Sequence, residues 1–296
     1  MYKFKKLLVK KKIIHIKSLN LNKSIVYLLD NKKASKKIIL KVASHKYSKR
    51  LIRNEFRGYK SKKIMSKFFN LPKFKFYYSN SKILAYETNF INQKKGNYFQ
   101  FFKFHKKKYN FKKIYLKKYF LNLKKHNLFN YEFKDKLIKF YEKKIEIKFK
   151  NISCVPIDVC HGDFVKWNTS ININKYYVFD LEFYSKNKVF CYDTIHWFFM
   201  PITNLLFKIN KYVKLNKIQN FILIIIIKSV LKYVYKDKYT NKEKELFFLL
   251  YLIDKEIYYN FLIRSKELKK SMSNYYYSKL IFNNKLNKNI IKFILR

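Results

Sequence analysis

Between Cys160 and Glu182 the chain reads CHGDFVKWNTSININKYYVFDLE. Four side chains in this stretch are suited to act together: His161, Asp163, Asn168 and Asp180. The first three share one short loop in the order H-G-D, four residues, N. Residues 169–173 and 176–179 read as two strands joined by a turn at Asn174 and Lys175. A hairpin brings its two ends together, so it sets Asn168 beside Asp180, where both oxygens can ligate one hard cation. Asp163 lies five residues before Asn168 and is expected to face the same cavity. One carboxylate to accept a hydroxyl proton, and an amide with a second carboxylate to hold a divalent ion, are the parts that phosphoryl transfer from Mg·ATP requires. That reaction asks little covalent chemistry of the protein, so placement of charge carries most of the rate. A lone HGD tripeptide is most often a solvated loop; the joint spacing and the apolar flanking strands are what give it meaning here.

The N-terminal part supplies an independent pair. Lys41 stands inside the apolar run IILKVA, where a lysine is costly unless it has a partner. Glu55 follows on an expected helix, in a chain with only 18 acidic residues, which makes it the more telling member of the pair. A strand lysine held by a helix glutamate can point its ammonium at the α- and β-phosphates of a nucleotide.

The elements that must carry these groups follow from periodicity. Residues 24–30 and 37–43 are β-branched runs separated by a polar loop. Residues 48–69 have helical spacing and end before Pro72. Residues 74–78 and 83–87 read as a second strand pair. From Tyr98 onward the pattern is helical, with expected helices at 111–126, 131–148, 192–207, 217–235, 242–264 and 274–295, interrupted by the strand-and-loop region 155–182. The expected architecture is α+β and two-lobed: residues 1–90 a small antiparallel-sheet lobe with one helix, residues 91–296 a larger helical lobe, and 88–97 the junction. The apolar run near 246–263 is broken by the consecutive charges Asp254, Lys255 and Glu256 and reads as a buried helix.

With NKSIVYLLD, IILKVA, NEFRGYK, LPKF, ILAYETNFI, HGDFVKWN, VFDLE and YDTIHWF in order, the chain from about Asn22 to Phe199 resembles the aminoglycoside phosphotransferase and choline kinase branch of the protein-kinase-like fold. HGDF-x-x-WN, FD-x-E and YD-x-x-HWF are most similar to small-molecule kinases of bacterial surface-polysaccharide type. The resemblance implies ATP and Mg²⁺, with Asp163 as the base and His161 organising its loop. It makes Asn168 and Asp180 the metal ligands and Lys41 with Glu55 the phosphate clamp. Asp193 would hold the catalytic loop from the next helix, Glu182 occupies a position filled by an acid in both branches, and 83–88, including Glu87, would be the hinge that meets adenine. The segment over the phosphates would be 18–24, SLNLNKS; it has no glycine, so Asn20, Asn22 and Ser24 supply its polar groups and its backbone stands further from phosphate. Lys166 is one residue too late to match the protein-kinase catalytic-loop lysine. His196 and Trp197 read as packing residues.

Composition bounds the rest. The formal charge is +50, yet only five basic residues are arginine, and Lys, Asn, Ile, Tyr and Phe are abundant while glycine and proline number 3 each. That is the residue set of A/T-rich codons, and a phosphate-reading surface would use more of the bidentate arginine fork. Nucleic acid is therefore not the expected partner, and association with an anionic membrane surface is at most weak. Three unpaired-looking cysteines with no C-x-x-C spacing suit reduced thiols and a cytoplasmic protein. No apolar run reaches the ~20 residues of a membrane span. The expected activity is transfer of the γ-phosphate to a hydroxyl of a small molecule, a sugar or polysaccharide-linked alcohol first, with choline or ethanolamine as the alternative. The rival classes are a catalytically weak kinase-like binding protein and a basic nucleic-acid or membrane-surface binder.

Overall fold

The computed structural model describes residues 12–19, 24–31, 36–61, 70–79, 82–91, 94–95, 112–126, 128, 133–172, 175–209, 217–235 and 238–264. The expected helix at 274–295 and the phosphate-loop residue Asn22 lie outside them. The fold is α+β. The described residues form two compact units: those of Met1–Lys107 with Lys166–Tyr184, and those of Lys108–Val165 with Ser185–Arg296.

The first unit is built on a five-stranded antiparallel sheet, β1 (Lys12–Leu19), β2 (Ser24–Asn31), β3 (Lys36–Ala43), β4 (Phe74–Ser79) and β5 (Leu84–Asn89), ordered β1-β2-β3-β5-β4. Alternation along β3 sorts its side chains. Ile38, Leu40 and Val42 pack with Ala85 in a buried cluster, which leaves Ile39 and Lys41 on the opposite face. Lys41 lies opposite Val26 of β2 and Tyr86 of β5, so it stands in the interior of the sheet. Helix α1 (Lys46–Lys60) begins where His45 caps the Tyr47 N–H through Nδ1 at 3.4 Å, and carries Arg57 and Lys60 in its last turn, favourable for the helix dipole. It buries Leu51, Asn54, Glu55 and Gly58, an i, i+3, i+4, i+7 stripe. It ends at Ser61, so the helix expected over 48–69 starts two residues earlier and stops well short; 62–69 lies outside the described residues.

The hairpin β9 (Thr169–Asn172) and β10 (Lys175–Val178) belongs to this unit and pairs with the short β6 (Lys94–Lys95). A one-turn 3₁₀ segment, Lys166–Asn168, leads into it and another, Leu181–Phe183, follows it.

In the second unit β7 (Lys112–Tyr115), β8 (Cys154–Cys160) and β11 (Ser185–Val189) form an antiparallel sheet, ordered β11-β8-β7. The helices are α2 (Leu116–Lys124), α3 (Lys134–Lys148), α4 (Tyr192–Ile209), α5 (Lys217–Tyr235) and α6 (Asn241–Arg264). The helix expected over 111–126 is corrected at its start. Lys112–Tyr115 is a strand paired with Cys154–Ile157, and the Leu116 N–H donates to Ser153 O at 2.8 Å before the helix begins. Cross-strand pairing overrides helical spacing over four residues because the backbone of β8 offers partners there. None of the described helices is long and apolar enough to cross a membrane.

Candidate active site

The chemistry-bearing residues fall into one cluster in each unit. In the first, Lys41 is buried at 4% exposure, and its Nζ lies 3.2 Å from Glu55 Oε2 and 2.8 Å from Asp180 Oδ1 and also contacts Glu182 Oε1. Burial by itself would lower the lysine pKa, but the charges of Asp180, Glu182 and Glu55 overcome it and hold the ammonium well above its ordinary value. For the carboxylates burial prevails. Burial, reinforced by Asp180, pushes Glu182 up to about 8 against the pull of Lys41. Burial also raises Glu55, again against Lys41, while the Tyr86 hydroxyl donates to it.

Local sequence explains how the acids arrive. Phe179 N–H donates to Asn168 O at 2.9 Å, which closes the open end of the hairpin and puts Asn168 one backbone bond from Asp180. Asp180 then adopts the left-handed region, φ 61°, a conformation aspartate tolerates better than most residues. The chain turns there into the 3₁₀ segment that carries Glu182. Helix α1 holds that segment: Asn54 Nδ2 donates to Glu182 O at 2.8 Å and to Tyr184 O at 2.9 Å. Gly58 lets it approach, because a Cβ there would stand 2.9 Å from Leu181 Cβ and 3.2 Å from Tyr184 Cβ. Asn54 and Gly58 were not singled out from the sequence. Their signal was the i, i+4 spacing with Glu55 between them, legible only once the helix face was known.

Oxygens of Glu55, Asp180 and Glu182 lie within 4.8 Å of one another. Three carboxyl groups crowd one ammonium, and the excess of acid raises Glu182 and Glu55; a divalent ion there would favour their ionised forms, and oxygen donors of this kind suit Mg²⁺. The residue set therefore fits a divalent ion. A cavity of about 230 Å³ opens on the Lys41 face of the sheet, lined by Val26, Tyr59, Tyr86, Thr88 and Phe179 among others. Ser24 begins β2, opposite Leu19 and Ala43. Glu87 is buried at mid-strand in β5, between Leu40 of β3 and Phe76 of β4, so its backbone is occupied within the sheet.

The second cluster surrounds Asp163. Asp193, in the first turn of α4, accepts the His161 N–H at 2.6 Å and the Gly162 N–H at 2.9 Å, fastening the loop after β8. Gly162 has φ 87°, which a side chain would strain. His161 is fully buried; its Nδ1 accepts from the Asp163 N–H at 3.3 Å, and its ring meets Phe164, which meets Trp197. Asp163 itself is 32% exposed, and its Oδ1 lies 3.0 Å from His196 Nε2. Burial would raise this carboxyl, but the hydrogen bond from His196 and the charge of Lys255 hold it well below the usual carboxylate range. His196 and Lys255 are the functional neighbours that sequence reasoning missed: one read as packing, the other as a break in an apolar helix.

No protein-family model matches the chain, and no curated protein matches it in sequence. Solved structures do. The choline kinase LicA of Streptococcus pneumoniae aligns with TM-score 0.52 at 12% identity, over 99% of this chain and 96% of that one. An ethanolamine kinase of Plasmodium vivax aligns at 0.48 and 15% identity, over 94% and 83%. A streptomycin–ATP complex of APH(2")-IIa aligns at 0.45 and 16% identity, over 92% and 97%. These neighbours are small-molecule kinases of protein-kinase-like fold. At such identities the first of them establishes the fold alone: the chain has the protein-kinase-like fold.

Proposed function

We propose that the chain is a Mg·ATP-dependent kinase that moves the γ-phosphate to a hydroxyl of a small molecule. The observation that carries this reading is the clasp on Lys41: a strand lysine met at once by a helix glutamate and by both acids of the FDLE segment. Residues 1–90 serve as the nucleotide lobe and 91–296 as the catalytic and acceptor lobe. Lys41, oriented by Glu55 and Glu182, donates to the α- and β-phosphates, and Ser24 and Asn22 belong to the segment over them. Main-chain groups near Glu87, beyond the end of β5, meet the adenine. Asn168 and Asp180 hold Mg²⁺, which supplies charge neutralisation at the phosphate oxygens. His161 and Asp193 keep the loop in place while Asp163 accepts the proton of the acceptor hydroxyl. The hydroxyl oxygen bonds to the γ-phosphorus as the bond from phosphorus to the β–γ bridging oxygen breaks, and ADP leaves with that electron pair. Asp163 is suited to this because its neighbours hold it ionised.

The acceptor is read as a sugar or polysaccharide-linked alcohol. A chain of formal charge +50 does not attract a polycation, which disfavours a polyamine acceptor. Choline or ethanolamine is the second reading, on the strength of the sequence resemblance. An ATP-using enzyme with reduced thiols is assigned to the cytoplasm.

Two measurements test the reading. ATP should raise the melting temperature only when Mg²⁺ is present, and Asp180→Ala should lose that dependence. Asp163→Asn should lower turnover by about 10³-fold, within the usual range for a general base, while leaving the Mg·ATP shift in place. Near-normal turnover by Asp163→Asn overturns the assignment of the base. A shift by ATP with no turnover on any of a panel of hydroxyl compounds leaves a nucleotide-binding protein without catalysis.

A further inference from the structure

Helix α6 is apolar and buried on most of its length, yet it carries Asp254, Lys255 and Glu256 in succession. Successive helical residues point about 100° apart, so each of the three meets a different element. Asp254 takes Lys188 of β11 and the Tyr192 hydroxyl of α4, the latter at 2.6 Å. Glu256 takes the Tyr141 hydroxyl of α3. Lys255 donates to Gly162 O at 3.0 Å, directly on the loop that presents Asp163. One turn back, Tyr251 sends its hydroxyl to His196 Nδ1 at 2.8 Å.

The protons on this chain of contacts can be assigned. A carboxylate only accepts, so the 3.0 Å contact between Asp163 Oδ1 and His196 Nε2 requires the proton on Nε2. Nδ1 is then bare and accepts from Tyr251. Lys255 Nζ is 3.4 Å from His196 Nε2 and is occupied instead by Gly162 O, and its charge opposes a second proton on the ring. The groups that face His196 are Asp163 and His161 from the loop, Tyr192 from its own helix, and Tyr251 and Lys255 from α6.

We propose that His196 is the positioning residue of the base: with its proton on Nε2, its Nδ1 anchored by the Tyr251 hydroxyl and the Lys255 ammonium beside it, it grips Oδ1 and fixes the rotation of the Asp163 carboxylate. This rests on the reading of Asp163 as the base. His196 touches neither acceptor nor nucleotide in this role; it acts through Asp163. Burial and the neighbouring Lys255 charge, which lower the imidazole pKa to about 4, agree with a ring that stays neutral.

The test uses the full chain, with Mg·ATP as the probe and water as the phosphate acceptor. Nitrogen-15 NMR of the histidine-labelled protein should show His196 as the neutral Nε2–H tautomer from about pH 5.5 to 8, well above the region where a buried ring of this kind titrates. Tyr251→Phe should keep the Nε2–H tautomer, which the Asp163 carboxylate demands, and shift the Nδ1 resonance as that nitrogen loses its hydrogen-bond donor. His196→Leu should lower kcat about 30-fold with KM for Mg·ATP within about twofold, and His196→Gln, which keeps an N–H near the Nε2 position, should recover most of it. If His196→Leu does not fold, Tyr251→Phe carries the kinetic arm with the same split between kcat and KM. An imidazolium at neutral pH, an Nδ1–H tautomer, or an unchanged kcat in both variants while Asp163→Asn is inactive overturns the proposal and leaves the base intact. Full activity of Asp163→Asn overturns the base instead, and the tautomer spectrum still decides whether the Tyr251–His196–Asp163 chain exists.

Discussion

The Lys41 cluster and the Asp163 cluster both take carboxyl groups partly or wholly out of water and drive them in opposite directions. Around Lys41 three acids share one ammonium, and Glu182 is pushed up to about 8 by burial and by Asp180. Around Asp163 one acid is met by an imidazole N–H and a buried lysine, and it stays well below the usual carboxylate range although burial opposes this. Burial alone therefore decides neither outcome; the balance of like and opposite charges around each carboxyl, together with the hydrogen bonds it accepts, does. The first arrangement is short of positive charge and suits a divalent ion and a phosphate chain. The second is satisfied without an ion and suits a carboxylate that must be ionised before a hydroxyl arrives.

The contrast can be broken by removing the cation from each side. Lys41→Met should cost about 3–5 kcal/mol in metal-free protein, as when one partner of a buried ion pair is removed, because buried Glu55 and Glu182 and the partly exposed Asp180 lose the ammonium they share. Lys255→Met should cost less, since Asp163 keeps the His196 hydrogen bond and Asp254 keeps Lys188 and Tyr192. Urea unfolding of the two variants compares them directly, and equal costs remove the distinction drawn above.

Acid tests the second cluster separately. His196 titrates at about 4 when folded and near 6.5 as a free side chain. The unfolded chain binds the proton first as pH falls, so the contribution is complete above 6.5 and is lost on the way down to about 4. That shift corresponds to roughly 3 kcal/mol at most. His126, half-buried and lowered to about 4 mainly by desolvation, adds to the slope in the same window. His196→Gln should flatten the pH dependence between 6.5 and 4 by about half; an unchanged slope assigns it all to His126.

The smallest effect concerns how the acids of the first cluster are delivered. Gly58→Ala should cost about 1–3 kcal/mol, since the new Cβ meets Leu181 Cβ, a backbone-borne atom that cannot swing away. It should also weaken the Mg²⁺-dependent shift by ATP, because Leu181 lies between Asp180 and Glu182. Stability and ATP response both at the wild-type level would mean that the 3₁₀ segment is free to move.

Composition explains why these particular positions speak. A chain with 3 glycines keeps one at Gly58, against the turn that carries Glu182, and one at Gly162, at positive φ beside Asp163. In a residue set tilted away from glycine, those two places have no substitute, since each depends on a missing Cβ.

Lys41 with Glu55, the hairpin between Asn168 and Asp180, and the α+β order were legible in the chain because each rests on local period or on a rare residue type in an apolar setting. Residues 112–115 were not, since a short strand is made by its partner and Lys112 pairs with Ile157, 45 residues further along the chain. Nor was β11, SKNKV, whose sequence has no strand pattern and which forms on the edge of β8. His196, Tyr251 and Lys255 were present as letters but not as a group. The sequence by itself determined which groups could do chemistry and the local elements that present them. Only the tertiary structure decided which charges share a site, and so which carboxylate is ionised, because electrostatic energy depends on distance through space and residues more than fifty positions downstream of His196 supply both the hydroxyl at its Nδ1 and the ammonium beside it.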